Sequence, residues 1–119
     1  MNKYILILLL LSFTIASCSS QDCKDLPSQF SSFSQAVNKV KSANFTIKEK
    51  VKTTKSSWIK SISFYSCNSE KGFLLVETQS EEYIYQNVPI SVWEQFKEAD
   101  SFGTFYNKFI KENYLLKLI

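Results

Sequence analysis

The chain contains no histidine and no arginine. Without histidine, neither a Ser-His-Asp triad nor a Cys-His pair can be assembled. Without arginine, there is no planar fork to grip a phosphate or a guanine edge through two parallel bonds. Histidine-bearing zinc sites are excluded, and three cysteines do not complete a four-cysteine site. No metal and no cofactor is therefore expected. Glycine and proline are scarce, with two of each, while 15% of the residues are aromatic. That balance belongs to a chain that folds, not to a disordered one. The formal charge of +3 is too small to mark a polyanion binder.

What is present begins with an address. Lys3 precedes an apolar run from Tyr4 to Ala16, interrupted by Ser12 and Thr14. The run is about half the ~20 residues of a spanning helix and matches the core of a signal peptide. It ends in Ile15-Ala16-Ser17-Cys18. An aliphatic residue, two small residues and a cysteine form the pattern of a bacterial lipobox. The small side chains admit the peptide to the lipoprotein signal peptidase, and the thiol carries the diacylglyceryl group. This predicts a signal peptide over residues 1–17 and a mature chain that begins at an acylated, palmitate-bearing Cys18. An ordinary secretory signal with a chance cysteine is the alternative. The expected location is the bacterial cell envelope, with the lipid bilayer as partner through Cys18. Ser19, not an aspartate, follows the cysteine, so the common inner-membrane retention signal is absent and the outer membrane is favoured.

Removal of 17 residues from 119 leaves 102, the size of one domain. Its charge is uneven. Lys39 to Lys60 holds seven lysines against one acid, Glu49, whereas residues 61–119 hold five lysines against eight acids. The basic stretch reads either as a solvated face or as a surface for an anionic membrane or polymer. With Cys18 assigned to lipid, Cys23 and Cys67 remain. In an exported domain two leftover cysteines read as one disulfide, with two free thiols as the alternative.

Residues 18–27 are short and polar, ending in Pro27, and suit a tether. Residues 28–56 comprise a helix and an extended linker. The helix is expected from Ser28, as N-cap, to about Ser42, with Phe30, Phe33, Ala36, Val37 and Val40 on its apolar stripe. Residues 44–56 form an irregular strand or an extended loop. Residues 57–119 then read as three strands (Trp58–Tyr65, Phe73–Thr78, Glu82–Val88) in an antiparallel meander, followed by two short helices. Ser91 and Glu94 suggest a capping box for the first of these. Phe102, Phe105 and Phe109 form the stripe of the second, and Tyr114–Ile119 should pack back as a short strand. The expected class is α+β. Each strand carries apolar residues on both sides, so the N-terminal amphipathic helix is expected on the sheet face opposite the C-terminal helices.

Several short motifs occur in a fixed order. A serine-rich approach, Ser56-Ser57-Trp58-Ile59, leads into the first strand of that meander. A central Tyr83-Ile84-Tyr85 follows, then Val88-Pro89, a helix with Trp93, and Ser101-Phe102-Gly103-Thr104-Phe105-Tyr106-Asn107. Lys111 and Tyr114 stand near the end. In this order and spacing, residues 57–114 resemble a KTSC domain, a small module also found at the C-terminus of some lysyl-tRNA synthetases. The family usually carries an arginine near its end, and this chain has none. The resemblance implies a domain for which RNA binding has been suggested from its place in the synthetases. Tyr83, Tyr85, Pro89, Trp93, Ser101, Gly103 and Asn107 are the residues it marks for binding.

The tyrosine pair could stack bases on a sheet surface, or pack as apolar bodies with wet hydroxyls. Gly103 reads as a close-packing position and Asn107 as a loop tie. Glu81 and Glu82 are adjacent, so in a strand they point to opposite faces and cannot share a catalytic site. No catalytic constellation is visible, and no enzyme is expected. The reading is an anchored binding or interaction module whose partner is a protein or an envelope polymer. Nucleic acid is the alternative partner, against which lipid anchoring argues because RNA is scarce outside the cytoplasm.

Overall fold

The computed structural model describes residues 21–53 and 58–119. The expected signal peptide, the expected lipobox with Cys18, and residues 54–57 lie outside the described residues. Four strands form one antiparallel sheet in sequential order: β1 Ile47–Lys52, β2 Ile59–Ser66, β3 Lys71–Thr78 and β4 Glu82–Pro89. The class is α+β, as expected, but the expected three-stranded meander has a fourth strand, β1, drawn from the stretch read as an irregular strand or an extended loop. β1 pairs with β2 from Ile47↔Ser66 to Lys52↔Ser61. Only Ile47 and Val51 of β1 face the core as apolar residues. Glu49 occupies the inward position between them, which hides the alternation in the sequence.

Two register shifts rearrange the faces. One lies between Ile59 and Ser61, at Lys60, and turns Ile59 to the same side as Ile62 and Phe64. The other lies where Gly72 pairs with Val88 and Leu74 with Tyr85, leaving an extra residue in β4. Asn87 there has φ 57°, a left-handed conformation that asparagine tolerates better than most residues. Strict alternation along each strand would put Ile59 with Tyr65 and Val88 with Ile84. The bulges move both to the opposite side.

The first face gathers Ile59, Ile62, Phe64, Leu74, Val76, Tyr85 and Val88 under Trp93, Phe96, Tyr106 and Ile110. The last four come from α2 (Ile90–Lys97) and from a turn that follows α3 (Phe102–Phe105) as a π-helix over Tyr106–Ile110. Pro89 is the N-cap of α2, and the Ile90 N–H donates to Glu70 O at 2.8 Å. The capping box expected at Ser91 is therefore not used: the cap lies two residues earlier, and Glu94 instead pairs with Lys97 at 3.0 Å.

The second face holds Tyr65, Leu75 and Ile84 under Phe30, Ala36, Val37, Val40 and Leu116. Here α1 (Phe33–Ser42) covers the sheet, on the side opposite α2. It is shorter than expected. Ser32, not Ser28, is the N-cap, its hydroxyl accepting from Gln35 N at 3.0 Å. Phe30 stays extended because the C-terminal tail holds it: its N–H donates to Lys117 O, and Ile119 N donates back to Phe30 O at 2.9 Å. Phe33, counted on the apolar stripe, is 54% exposed. The tail also bridges β4 through Tyr85 and Leu115, which matches the expected return of residues 114–119.

Cys23 and Cys67 form a disulfide with Cα atoms 5.9 Å apart. It joins a short 3-10 turn, Cys23–Asp25, to the β2–β3 turn. Backbone bonds reinforce it, with Asn44 N donating to Gln21 O at 2.8 Å and Cys23 N to Asn44 O at 3.0 Å. In the β2–β3 turn, Ser66 Oγ donates to Lys71 O and accepts from Ser69 N. Gly72 lies so close to the next strand that a Cβ there would sit 2.8 Å from the Tyr65 carbonyl carbon and 2.9 Å from Ser66 Cα.

Candidate functional site

At the end of the sheet remote from the disulfide, β1 finishes, β2 starts, and α2 hands over to α3. Thr53, Trp58, Lys97, Asp100, Gly103 and Asn107 line a groove of about 610 Å³ there. Each wall has a local cause. Ser101 caps α3 by accepting from Thr104 N at 3.2 Å, which fixes the start of the helix. Gly103 lets the Trp58 indole close onto α3, since a Cβ would meet Trp58 Nε1 at 2.6 Å. Asn107 is exposed on the π-helical turn, facing the groove.

Trp58 is braced from behind. Its ring meets Tyr106 edge-on at 5.2 Å, and Tyr106 meets Tyr85 edge-on at 5.9 Å. The Tyr85 and Tyr106 hydroxyls hydrogen-bond to each other. Burial first, and the Tyr106 hydroxyl second, push the Tyr85 phenol well above its usual range, so it stays neutral. Tyr106→Phe removes the partner of a buried hydroxyl, and a loss of about 1–3 kcal/mol is expected. A urea titration measures it, and an unchanged midpoint would show that Tyr85 finds water instead.

The two tyrosines of the central motif have therefore separate fates. Tyr85 belongs to the core and offers no face for stacking. Tyr83 is 38% exposed and shares a second, shallow recess with Trp58, Gln79 and Ser80. Pro89 serves as the N-cap of α2. Trp93 is fully buried, stacked on Phe64 at 5.3 Å. Ser101, Gly103 and Asn107 come together on one groove. Cys23 and Cys67 are bonded at the other end of the sheet, away from it. Trp58 and Thr53 were not singled out as site residues in the sequence, although Trp58 stood within the quoted motif.

Glu49 supports one wall. The Trp93 indole N–H donates to its Oε1 at 2.6 Å, and Lys97 Nζ lies 3.3 Å from the same oxygen. Those two groups, the indole first, hold the carboxyl below its ordinary range against partial desolvation. A depressed folded pKa gives stability that is complete above the unfolded value and lost as pH falls through the folded one. The side chain is 45% exposed, so the contribution is below about 1 kcal/mol. The parent is thus expected to be slightly more stable than Glu49→Gln at neutral pH and to lose that lead in acid. A lead that persists in acid would assign it to packing. Chemically, the groove offers an aromatic edge, an ammonium, a carboxylate, hydroxyls and an amide, a set suited to holding a polar ligand.

Residues 55–114 match the KTSC domain family, and the chain belongs to it. A crystal structure of a KTSC domain protein from Yersinia pestis is similar at 26% identity and a TM-score of 0.50, covering 61% of this chain and 99% of that one. No curated protein matches. Residues 21–53, with α1, β1 and Cys23, precede the family match.

Proposed function

We propose that this chain is a lipid-anchored envelope protein whose KTSC domain is a non-catalytic binding module, with the Trp58 groove as its binding site. The observation that carries the proposal is the convergence of Trp58, Ser101, Gly103 and Asn107. These residues are dispersed over the family pattern yet line one accessible groove. The disulfide supports an oxidising compartment, since such bonds are rare where thiols are kept reduced. The lipobox pattern at residues 15–18 supports the anchor.

Photo-crosslinking in cells tests the binding site. A photoreactive residue at Thr104 or Asn107 is expected to give a discrete adduct that the same probe at exposed Glu112 does not. Identical products at all three positions would count against the groove. The RNA-binding alternative loses one support, because Tyr85 is buried. Oligonucleotide binding that falls steeply with salt and disappears in Trp58→Ala would restore it.

The anchor has its own test. Cys18→Ala is expected to block maturation and abolish lipid labelling, because alanine has no thiol to carry the diacylglyceryl group. Unchanged size and unchanged labelling would refute the anchor.

A further inference from the structure

We infer that the disulfide end of the domain is a membrane-contact surface, seated on the bilayer with the Trp58 groove turned away from it. The inference rests on the lipid-anchored reading and adds to it which face of the domain meets the lipid. Its basis is the length of chain between anchor and fold. Gln21 is already held by Asn44 N at 2.8 Å and by its own side-chain bond to Asp25 O at 3.0 Å. Two residues, Ser19 and Ser20, separate it from Cys18, and the three Cα–Cα steps between them reach at most about 11 Å. The bonded end of the domain is therefore kept within roughly one Debye length of the headgroups, where lysines still feel an anionic surface.

The surface at that end has a matching composition. Lys24 adjoins Cys23, and Lys71 and Lys117 border the same recess as Cys23 and Cys67. Asp22, Asp25 and Glu70 are also near and balance the three lysines, so charge supplies no net attraction and the contact rests on the short tether and on apolar side chains. Next to Lys117 come Leu118 and Ile119, 39% and 87% exposed. Their backbone is fixed by the Ile119–Phe30 bond. Two aliphatic side chains beside lysines, on a short leash, suit insertion at the level of the headgroups. An eight-residue strand spans about 25 Å, and the groove lies at the far end of β2, where Trp58 precedes Ile59. The geometry thus turns the groove into the aqueous compartment.

The test uses the mature, acylated protein in vesicles of phosphatidylethanolamine and phosphatidylglycerol. A membrane-impermeant acetylating reagent reports each lysine by mass spectrometry. The comparison is a variant with a Gly/Ser spacer of about twenty residues between Ser19 and Ser20, whose tether then spans about 25 Å on average. Lys24, Lys71 and Lys117 are expected to react at least about threefold more slowly with the native tether, and Lys52 and Lys60 equally in both. Equal rates at all five, in protein with acyl chains on Cys18 by mass, would overturn the contact surface and leave the anchor standing. Absence of acyl mass on Cys18 would overturn both. The double variant Leu118→Ser, Ile119→Ser is expected to lose the protection at Lys117, and retained protection there would remove the aliphatic pair from the contact.

Discussion

Loss of the Cys23–Cys67 bond is expected to lower the stability of the domain by about 4 kcal/mol, from the closure entropy of its loop. The bond spans 44 residues of sequence, and a loop of that length enlarges the denatured ensemble considerably once opened. For a domain of this size the loss corresponds to a fall of roughly 20 °C in the thermal midpoint. The double variant Cys23→Ser, Cys67→Ser, melted beside the oxidised parent and the parent under reductant, measures it. The effect reaches beyond the bridge, because the bond ties the start of the fold to the β2–β3 turn. A drop of only a few degrees would mean that the backbone bonds between Gln21, Cys23 and Asn44 hold that end without the bridge.

Val40→Asp is expected to unfold the domain or to cost about 4 kcal/mol or more, out of a total of about 5–15 kcal/mol. Val40 is fully buried between α1 and the sheet, among the apolar side chains of the second core. Phe33→Asp is the informative control. Its ring is more than half exposed, so a change within about 0.5 kcal/mol is expected there. Chemical denaturation of both variants decides the matter. If Val40→Asp melts like the parent, α1 is a detachable spacer. The sheet face around Tyr65, Leu75 and Ile84 would then be open to a partner.

That contrast also shows what the sequence can and cannot convey. The need for a second helical layer was legible, because each strand carried apolar residues on both sides and one amphipathic stretch was left over. The limits of that helix were not. Phe30 and Phe33 fit a helical spacing, but Phe30 is fixed in extended form by residues almost ninety positions later, a long-range bond that local periodicity does not register. β1 was obscured for a related reason. Glu49 occupies a core-facing position because it accepts from the Trp93 indole, and an inward acid reads as a break in a strand. The bulges at Lys60 and near Asn87 were likewise invisible, since each depends on what the neighbouring strand offers.

Of the candidate site, the pattern Ser101, Gly103 and Asn107 was legible as a motif, and the structure brings the three together. The tyrosine pair misled, because alternation alone does not tell which strand face is roofed. Tyr85 lies under Tyr106, whereas Tyr83 lies nearer the open end of the same strand. Gly103 was rightly read as a close-packing position. Its neighbour is the Trp58 side chain, just ahead of β2.

The lysines of β1 have a consequence for how the molecule behaves in a crowd. Among the described residues, β1 borders the sheet on one side with no strand beyond it, and such a row of backbone donors and acceptors invites a foreign strand to add on. Lys48, Lys50 and Lys52 alternate along this border on one face, and two copies brought edge to edge would set like charges against each other. At the other border β4 is partly closed by the tail through Tyr85 and Leu115. The three lysines of β1 can thus be understood without any anionic ligand: at high local concentration, copies of this protein would repel each other along the border where they could otherwise polymerise.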